Sequence, residues 1–213
     1  MPFEFPKIYP ILDSYAIPEI NRERFLEWLG SGLTEAGVTL LEYRSKTGDE
    51  SQLLADAACL RHALPAGKVK LILDDRADLV EKTQFDGVHV DAGDVTPLDA
   101  RWLLGSAHIV GTFGGSDSIL PGILDEPADY LSIGPVFASQ TKPSIRAPIG
   151  LDGVRKLRQQ AGPKPVLVAV GGITLEAAPA VLSAGATTVA VSAAIFRTGD
   201  PLVEFRRWMA ELK

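Results

Sequence analysis

One cysteine among 213 residues, Cys59, leaves no way to form a disulfide within the chain. It falls in the helical stretch SQLLADAACLRHAL, where it reads as a small buried apolar residue rather than a nucleophile. No apolar run approaches the roughly 20 residues of a membrane span, and no signal-type hydrophobic stretch opens the chain. The cytoplasm is therefore the expected location. Positive charge is also in deficit, with 21 Lys and Arg against 27 Asp and Glu and a net charge of −6. That balance argues against nucleic acid or an anionic membrane as the main partner. No linker or low-complexity tract divides the sequence, and a single domain over residues 1–213 is expected. What remains, 46% hydrophobic and 23% charged, is the composition of an ordinary soluble globule.

Short runs rich in Val, Ile and Leu alternate with helical patterns. Eight runs read as buried parallel strands: 7–13, 38–44, 69–74, 87–90, 108–112, 130–134, 166–172 and 187–192. Between them, residues 23–37 carry Phe25, Trp28, Leu29 and Leu33 as one apolar stripe and stop at Gly37. Residues 151–162 do the same with Leu151, Val154 and Leu157, ending at Gly162. Thr174 is a candidate N-cap for the next helix, and Pro201 opens the last one. Each strand is followed by a helix candidate, the fifth short or broken at Pro121 and Gly122. The pattern is that of an α/β protein, a (β/α)8 TIM barrel. A doubly wound open sheet is the alternative, weakened by the missing G-x-G-x-x-G after the first strand. Residues 138–150, with two prolines and little apolar content, read as a long loop above the sixth strand.

In such a barrel the strand ends gather on one face, where active sites lie. Strand two ends in Glu42, Arg44 and Lys46, which period-two alternation puts on one side. This is either a solvated charge run or a pair of cations suited to a diphosphate. Asp74 and Asp75 end strand three and Asp94 follows strand four. Two carboxylates from neighbouring strands suit Mg2+, which fills its other positions with water and substrate phosphates. The bland readings are a helix cap for Asp75 or Asp78 and a turn residue for Asp94. His89 lies inside its strand and reads as a satisfied core histidine. Ser139, Thr141 and Lys142 offer hydroxyls and a cation in the loop after strand six. Gly171 and Gly172 end strand seven, and Ser192 and Ala193 end strand eight. Small residues there either let backbone N–H groups reach a phosphate or serve close packing.

Taken in order, these segments resemble the thiamine-phosphate synthase family over nearly the whole chain. The family's Q-x-R-x-K stands here as EYRSK, its N-D-R as DDR and its G-V-H-L-G-x-x-D as GVHVDAGD. G-P-V-F-x-T-x-T-K stands as GPVFASQTK, and G-G-I is intact. The resemblance implies a transferase of thiamine biosynthesis that joins an aminopyrimidine diphosphate to a thiazole phosphate, releasing diphosphate. It puts Arg44, Lys46 and Lys142 on the diphosphate as catalytic cations, and Asp75 and Asp94 on Mg2+. Ser139, Thr141, Gly172 and the Ser192–Ala193 backbone would hold the thiazole phosphate. The implied chemistry is dissociative and needs no general base. Its partners would be small phosphorylated substrates; self-association into a homo-oligomer is left open.

Several positions depart from the family pattern. Glu42 stands for Gln, Asp74 for Asn, and Phe113 (or Thr112, if the alignment slips by one) for a serine; these three are implied to contact the pyrimidine or diphosphate. Ser139 stands for Thr, and the family's serine near strand eight is displaced, leaving Ala193. The related thiazole tautomerases use a histidine where this chain has Gly115, and they lack the lysine that Lys142 supplies. A barrel that binds phosphate ligands without turnover is the remaining alternative.

Overall fold

The computed structural model describes residues 3–91, 93, 95–138 and 146–212. Among these, eight parallel strands close into a barrel: β1 (Ile8–Asp13), β2 (Leu40–Arg44), β3 (Lys70–Asp74), β4 (Gly87–Val90), β5 (Ile109–Gly115), β6 (Tyr130–Ile133), β7 (Val166–Val170) and β8 (Thr188–Val191). Each pairs with its neighbour in sequence, and β1 closes on β8 with Tyr9 opposite Ala190. The helices are α1 (Arg22–Glu35), α2 (Glu50–Ala63), α3 (Val80–Thr83), α4 (Pro97–Leu104), α5 (Gly150–Ala161), α6 (Ala178–Ser183), α7 (Ala193–Phe196) and α8 (Pro201–Glu211). No helix among the described residues is long and apolar enough to cross a membrane.

Alternation along each strand builds two apolar layers. Inside the barrel, Tyr9, Leu40, Ile72, Ile109, Tyr130, Val168 and Ala190 form one cluster, with Phe3 and Phe5 packed against it. Residues of opposite parity, such as Leu41, Leu71, Val88 and Val189, face the helices and join the larger outer cluster. Gly111 is needed by this arrangement. A Cβ there would lie 1.9 Å from the Tyr130 ring, so only glycine lets Tyr130 reach across the barrel.

The structure departs from two sequence expectations and bears out a third. In α1 the buried stripe is Leu26, Leu29, Gly30 and Leu33, while Phe25 is half-buried and Trp28 is 44% exposed. The cause is close helix packing through glycine: Gly30 lies against Ala63 of α2, and Gly32 against Leu202 of α8. That turns the face bearing Trp28 outward, where its ring rests 5.5 Å from that of Phe25. The helix after β5, expected to be short or broken, is a single 3-10 turn at Ile123–Asp125 that follows Gly122 at a φ of +77°. Cys59 is half-buried on α2 rather than enclosed, and burial raises its thiol pKa. Other local signals hold. Gly37, at a φ of +87°, ends α1. Thr174 Oγ1 accepts from the Ala177 N–H, and Asp200 caps α8 just before Pro201.

Candidate active site at the mouth of the barrel

Because all strands are parallel, their C-terminal ends form one rim. Asp13, Arg44 and Asp74 end β1, β2 and β3; Asp75 follows β3 directly and Lys46 is the second residue after β2. Asp74 is buried, and its Oδ2 lies 2.9 Å from Lys46 Nζ and 3.4 Å from Arg44 Nε. Arg44 also pairs with Asp13, and Lys46 with Asp75. Two cations are thus shared among three carboxylates. Beside them opens a pocket of about 230 Å³ lined by Ser45, Lys46, Gly48, Asp75 and Arg76, among others.

Asp75 sits in the left-handed backbone region, at a φ of +65°, which costs a non-glycine residue about 1 kcal/mol. The turn is held by the Asp75 N–H donating to His89 O at 2.8 Å. Oδ1 of Asp75 is buried without a hydrogen-bond partner, the condition in which a carboxylate oxygen suits a hard cation. Neither Asp75 nor Asp78 caps the turn that follows: no side chain caps it, and Asp78 pairs with Arg76. No group of three or more His, Cys, Asp or Glu side chains among the described residues is placed to hold a metal. Mg2+ needs fewer, since one or two carboxylates suffice when substrate phosphates complete the shell. The donor chemistry of Asp75 therefore fits Mg2+. Its expected co-ligand Asp94 lies outside the described residues, as do Ser139, Thr141 and Lys142.

Below the rim lies a polar layer. Glu42 is buried beside Tyr9 and His89. Tyr9 Oη is 3.0 Å from Tyr130 Oη, which is 3.1 Å from His89 Nδ1. Burial raises the Glu42 carboxyl to about 7; nearby His89 pulls it down, while Asp74 and Asp91 push it further up. For His89, burial disfavours the charged ring, but the Asp91 carboxylate, 3.6 Å from its Nε2, and the Glu42 and Asp74 charges outweigh it and raise its pKa. Burial first, then the Glu42 charge, holds both phenols well above 10. His89 is thus the satisfied core histidine its place in the strand suggests. It also belongs to a connected network beneath the mouth.

Across the mouth, Phe113 follows Ile109 and Gly111 on the inward side of β5, and the Arg146 guanidinium lies 4.2 Å over its ring centroid. Gly172 adopts a φ of +63°, and a Cβ there would meet Ala138 O at 2.6 Å and Phe137 O at 2.7 Å. It packs against the segment after β6, so the close-packing reading holds with a loop in place of a helix. Ser192, between β8 and α7, and Ala193, the first residue of α7, are half-buried. Sequence reasoning did not single out Asp13, Tyr9, Tyr130 or Arg146. Asp13 carries the same signal as Asp75, a carboxylate closing an apolar run. The tyrosines are marked only by parity, and Arg146 by nothing local.

A parallel eight-stranded barrel with paired cations and carboxylates on its C-terminal rim belongs to the class of barrel enzymes that act on phosphorylated small molecules. A family model described as thiamine monophosphate synthase matches residues 8–195. The thiamine-phosphate synthase of Koribacter versatilis is 40% identical over 208 residues, 98% of this chain and 94% of that protein. That of Chloroflexus aurantiacus is 37% identical over 174 residues, 82% of this chain and 79% of its own. Among solved structures, a thiamine phosphate pyrophosphorylase from Pyrococcus furiosus superposes with a TM-score of 0.76 at 26% identity, covering 97% of this chain and 95% of its own. The chain belongs to the thiamine monophosphate synthase family.

Proposed function

We propose that the mouth of this barrel joins an aminopyrimidine methyl diphosphate to a thiazole phosphate, giving thiamine phosphate and diphosphate, with Mg2+ held through Asp75 and Asp94. The observation that carries this reading is the rim group of Arg44, Lys46, Asp74 and Asp75 with its buried, unbonded Asp75 oxygen. Arg44 and Lys46, with Lys142, bind the diphosphate and neutralise the charge that builds on it as its bond to the methylene carbon breaks. Bound Mg2+ supplies further charge neutralisation of the leaving group. Glu42 accepts a hydrogen bond from the pyrimidine amino group and orients the ring. Gly172, Ser192 and Ala193, with Ser139 and Thr141, hold the thiazole phosphate so that its ring nitrogen faces the methylene carbon. No side chain has to remove a proton. The reading carries with it a cytoplasmic location and leaves self-association into a homo-oligomer open, which size-exclusion chromatography tests.

One observation favours a second reading, a barrel that binds phosphates without turnover. Asp74 places a carboxylate between the two cations the diphosphate needs. Incubation with both substrates and Mg2+ separates the two. The synthase reading expects slow formation of thiamine phosphate, and Asp74→Asn should raise diphosphate-substrate affinity by roughly tenfold or more, because the buried carboxylate that competes with diphosphate for both cations is then neutral. Binding of thiazole phosphate with no turnover by either protein would establish the second reading.

A further inference from the structure

We propose that Asp13 is a positioning residue for the reaction: it fixes the Arg44 guanidinium in the orientation that meets the charge developing on the departing diphosphate. That role rests on the synthase reading of the same site. Asp13 and Arg44 are register partners at the ends of β1 and β2, two residues beyond the pair Ile11 and Glu42. They share the parity of Tyr9 and Ile11, which face the barrel interior, and pair directly at the mouth. Asp13 gives its two oxygens different tasks. Oδ1 accepts from the Tyr15 N–H at 3.0 Å and caps the turn Ser14–Ala16, while Oδ2 accepts from Arg44. A carboxylate tied to its own backbone presents its second oxygen in one place.

The turn is itself clamped. Arg22, at the start of α1, donates to Ile17 O at 3.2 Å and to Ser14 O at 3.4 Å. Its Nε and Nη2 also fork onto Asp56 of α2, at 2.7 and 2.6 Å. Asp56 is buried and accepts from Tyr43 Oη and, at 2.9 Å, from Gln52 Nε2. Tyr43 immediately precedes Arg44 on β2. A closed circuit thus runs from Arg44 through Asp13 and its turn to Arg22, Asp56 and Tyr43, back to the residue beside Arg44. Such a network holds a geometry that an isolated surface ion pair does not. Asp74, the other carboxylate on Arg44, is held differently. Its Oδ2 is buried without a hydrogen-bond partner among the described residues, and meets Lys46 Nζ at 2.9 Å and Arg44 Nε at 3.4 Å through charge alone. Asp74 competes for the cations, whereas Asp13 aims one of them.

Three measurements test this together: kcat and KM with both substrates and Mg2+, calorimetric titration of inorganic diphosphate, and nitrogen NMR of the Arg44 guanidinium, its signal identified by its loss in Arg44→Lys. Asp13→Asn keeps an acceptor for the Tyr15 N–H, since Asn closes such turns as Asp does, and removes the carboxylate that holds Arg44. It should lower kcat about tenfold with the thiazole phosphate KM unchanged, because orientation at the departing diphosphate is lost. Diphosphate with Mg2+ should bind roughly threefold tighter, one carboxylate having left the rim. A merely structural loss would lower kcat without tightening diphosphate. Asp13→Glu, with the charge restored on a longer arm, should recover part of kcat. Rotation about the Arg44 Cζ–Nε bond should quicken about fivefold or more in Asp13→Asn. Unchanged kcat or unchanged rotation in folded Asp13→Asn would overturn the proposal. A wild type that gives no thiamine phosphate would sink the synthase reading; faster Arg44 rotation in Asp13→Asn would then leave the hold of Asp13 on Arg44 standing, and unchanged rotation would end both.

Discussion

Glu42 and Asp74 are where this chain's chemistry differs most from its motif pattern, and each difference has a measurable consequence. A carboxyl moved from 4.5 to about 7 by burial binds its proton more tightly in the folded state than in the unfolded one. Stability from this group is therefore full below about pH 4.5 and is lost as pH rises toward 7. The loss is on the order of 3 kcal/mol. Glu42→Gln removes the titrating group, so its urea stability should exceed that of the wild type at pH 8 and not at pH 4. A wild-type-minus-variant difference that does not change with pH would contradict the assigned burial. Glu42 was legible as an inward charge from alternation alone. Its raised pKa was not, because it depends on Tyr9, Asp74, His89 and Asp91, brought together only by barrel closure.

Elements were the most legible level, for a physical reason. A strand covered on both faces must be apolar throughout, so all eight runs stood out, with edges within three residues of those observed. Helix faces were harder to place. On α1 the periodicity allowed a stripe through Phe25 and Trp28, and the choice was made by Gly30 and Gly32 meeting α2 and α8, contacts no local pattern contains. Gly111 is the corresponding case on a strand. Gly111→Ala would drive a Cβ into the Tyr130 ring, which is wedged between Tyr9 and His89. Urea denaturation should show a loss of roughly 1–3 kcal/mol, the usual range for overpacking. Wild-type stability in that variant would mean that Tyr130 does not span the barrel.

At the scale of the whole molecule, the parallel closed sheet does the functional work by putting every strand's C-terminal end on one face. Residues 30 positions apart, such as Arg44 and Asp74, meet there because β2 and β3 are neighbours in register. The acids and cations of the rim could thus be found in the sequence once a barrel was inferred. Which carboxylate holds which cation could not, since Asp13, Asp74 and Asp75 compete for Arg44 and Lys46 in space. The apolar interior, with Phe3 and Phe5 packed on it, leaves this rim as the polar end of the barrel.

The rim is proposed to join two phosphorylated substrates with the help of a cation held by Asp75. Phosphorus NMR of the protein with Mg2+, the aminopyrimidine diphosphate and the thiazole phosphate tests it directly, comparing the wild type with Asp75→Asn. Equal amounts of thiamine phosphate and free diphosphate should appear with the wild type, and the rate should be at least a hundredfold lower, on the order of 3 kcal/mol in the barrier, with the variant. Equal rates in the two proteins, with or without Mg2+, would contradict it.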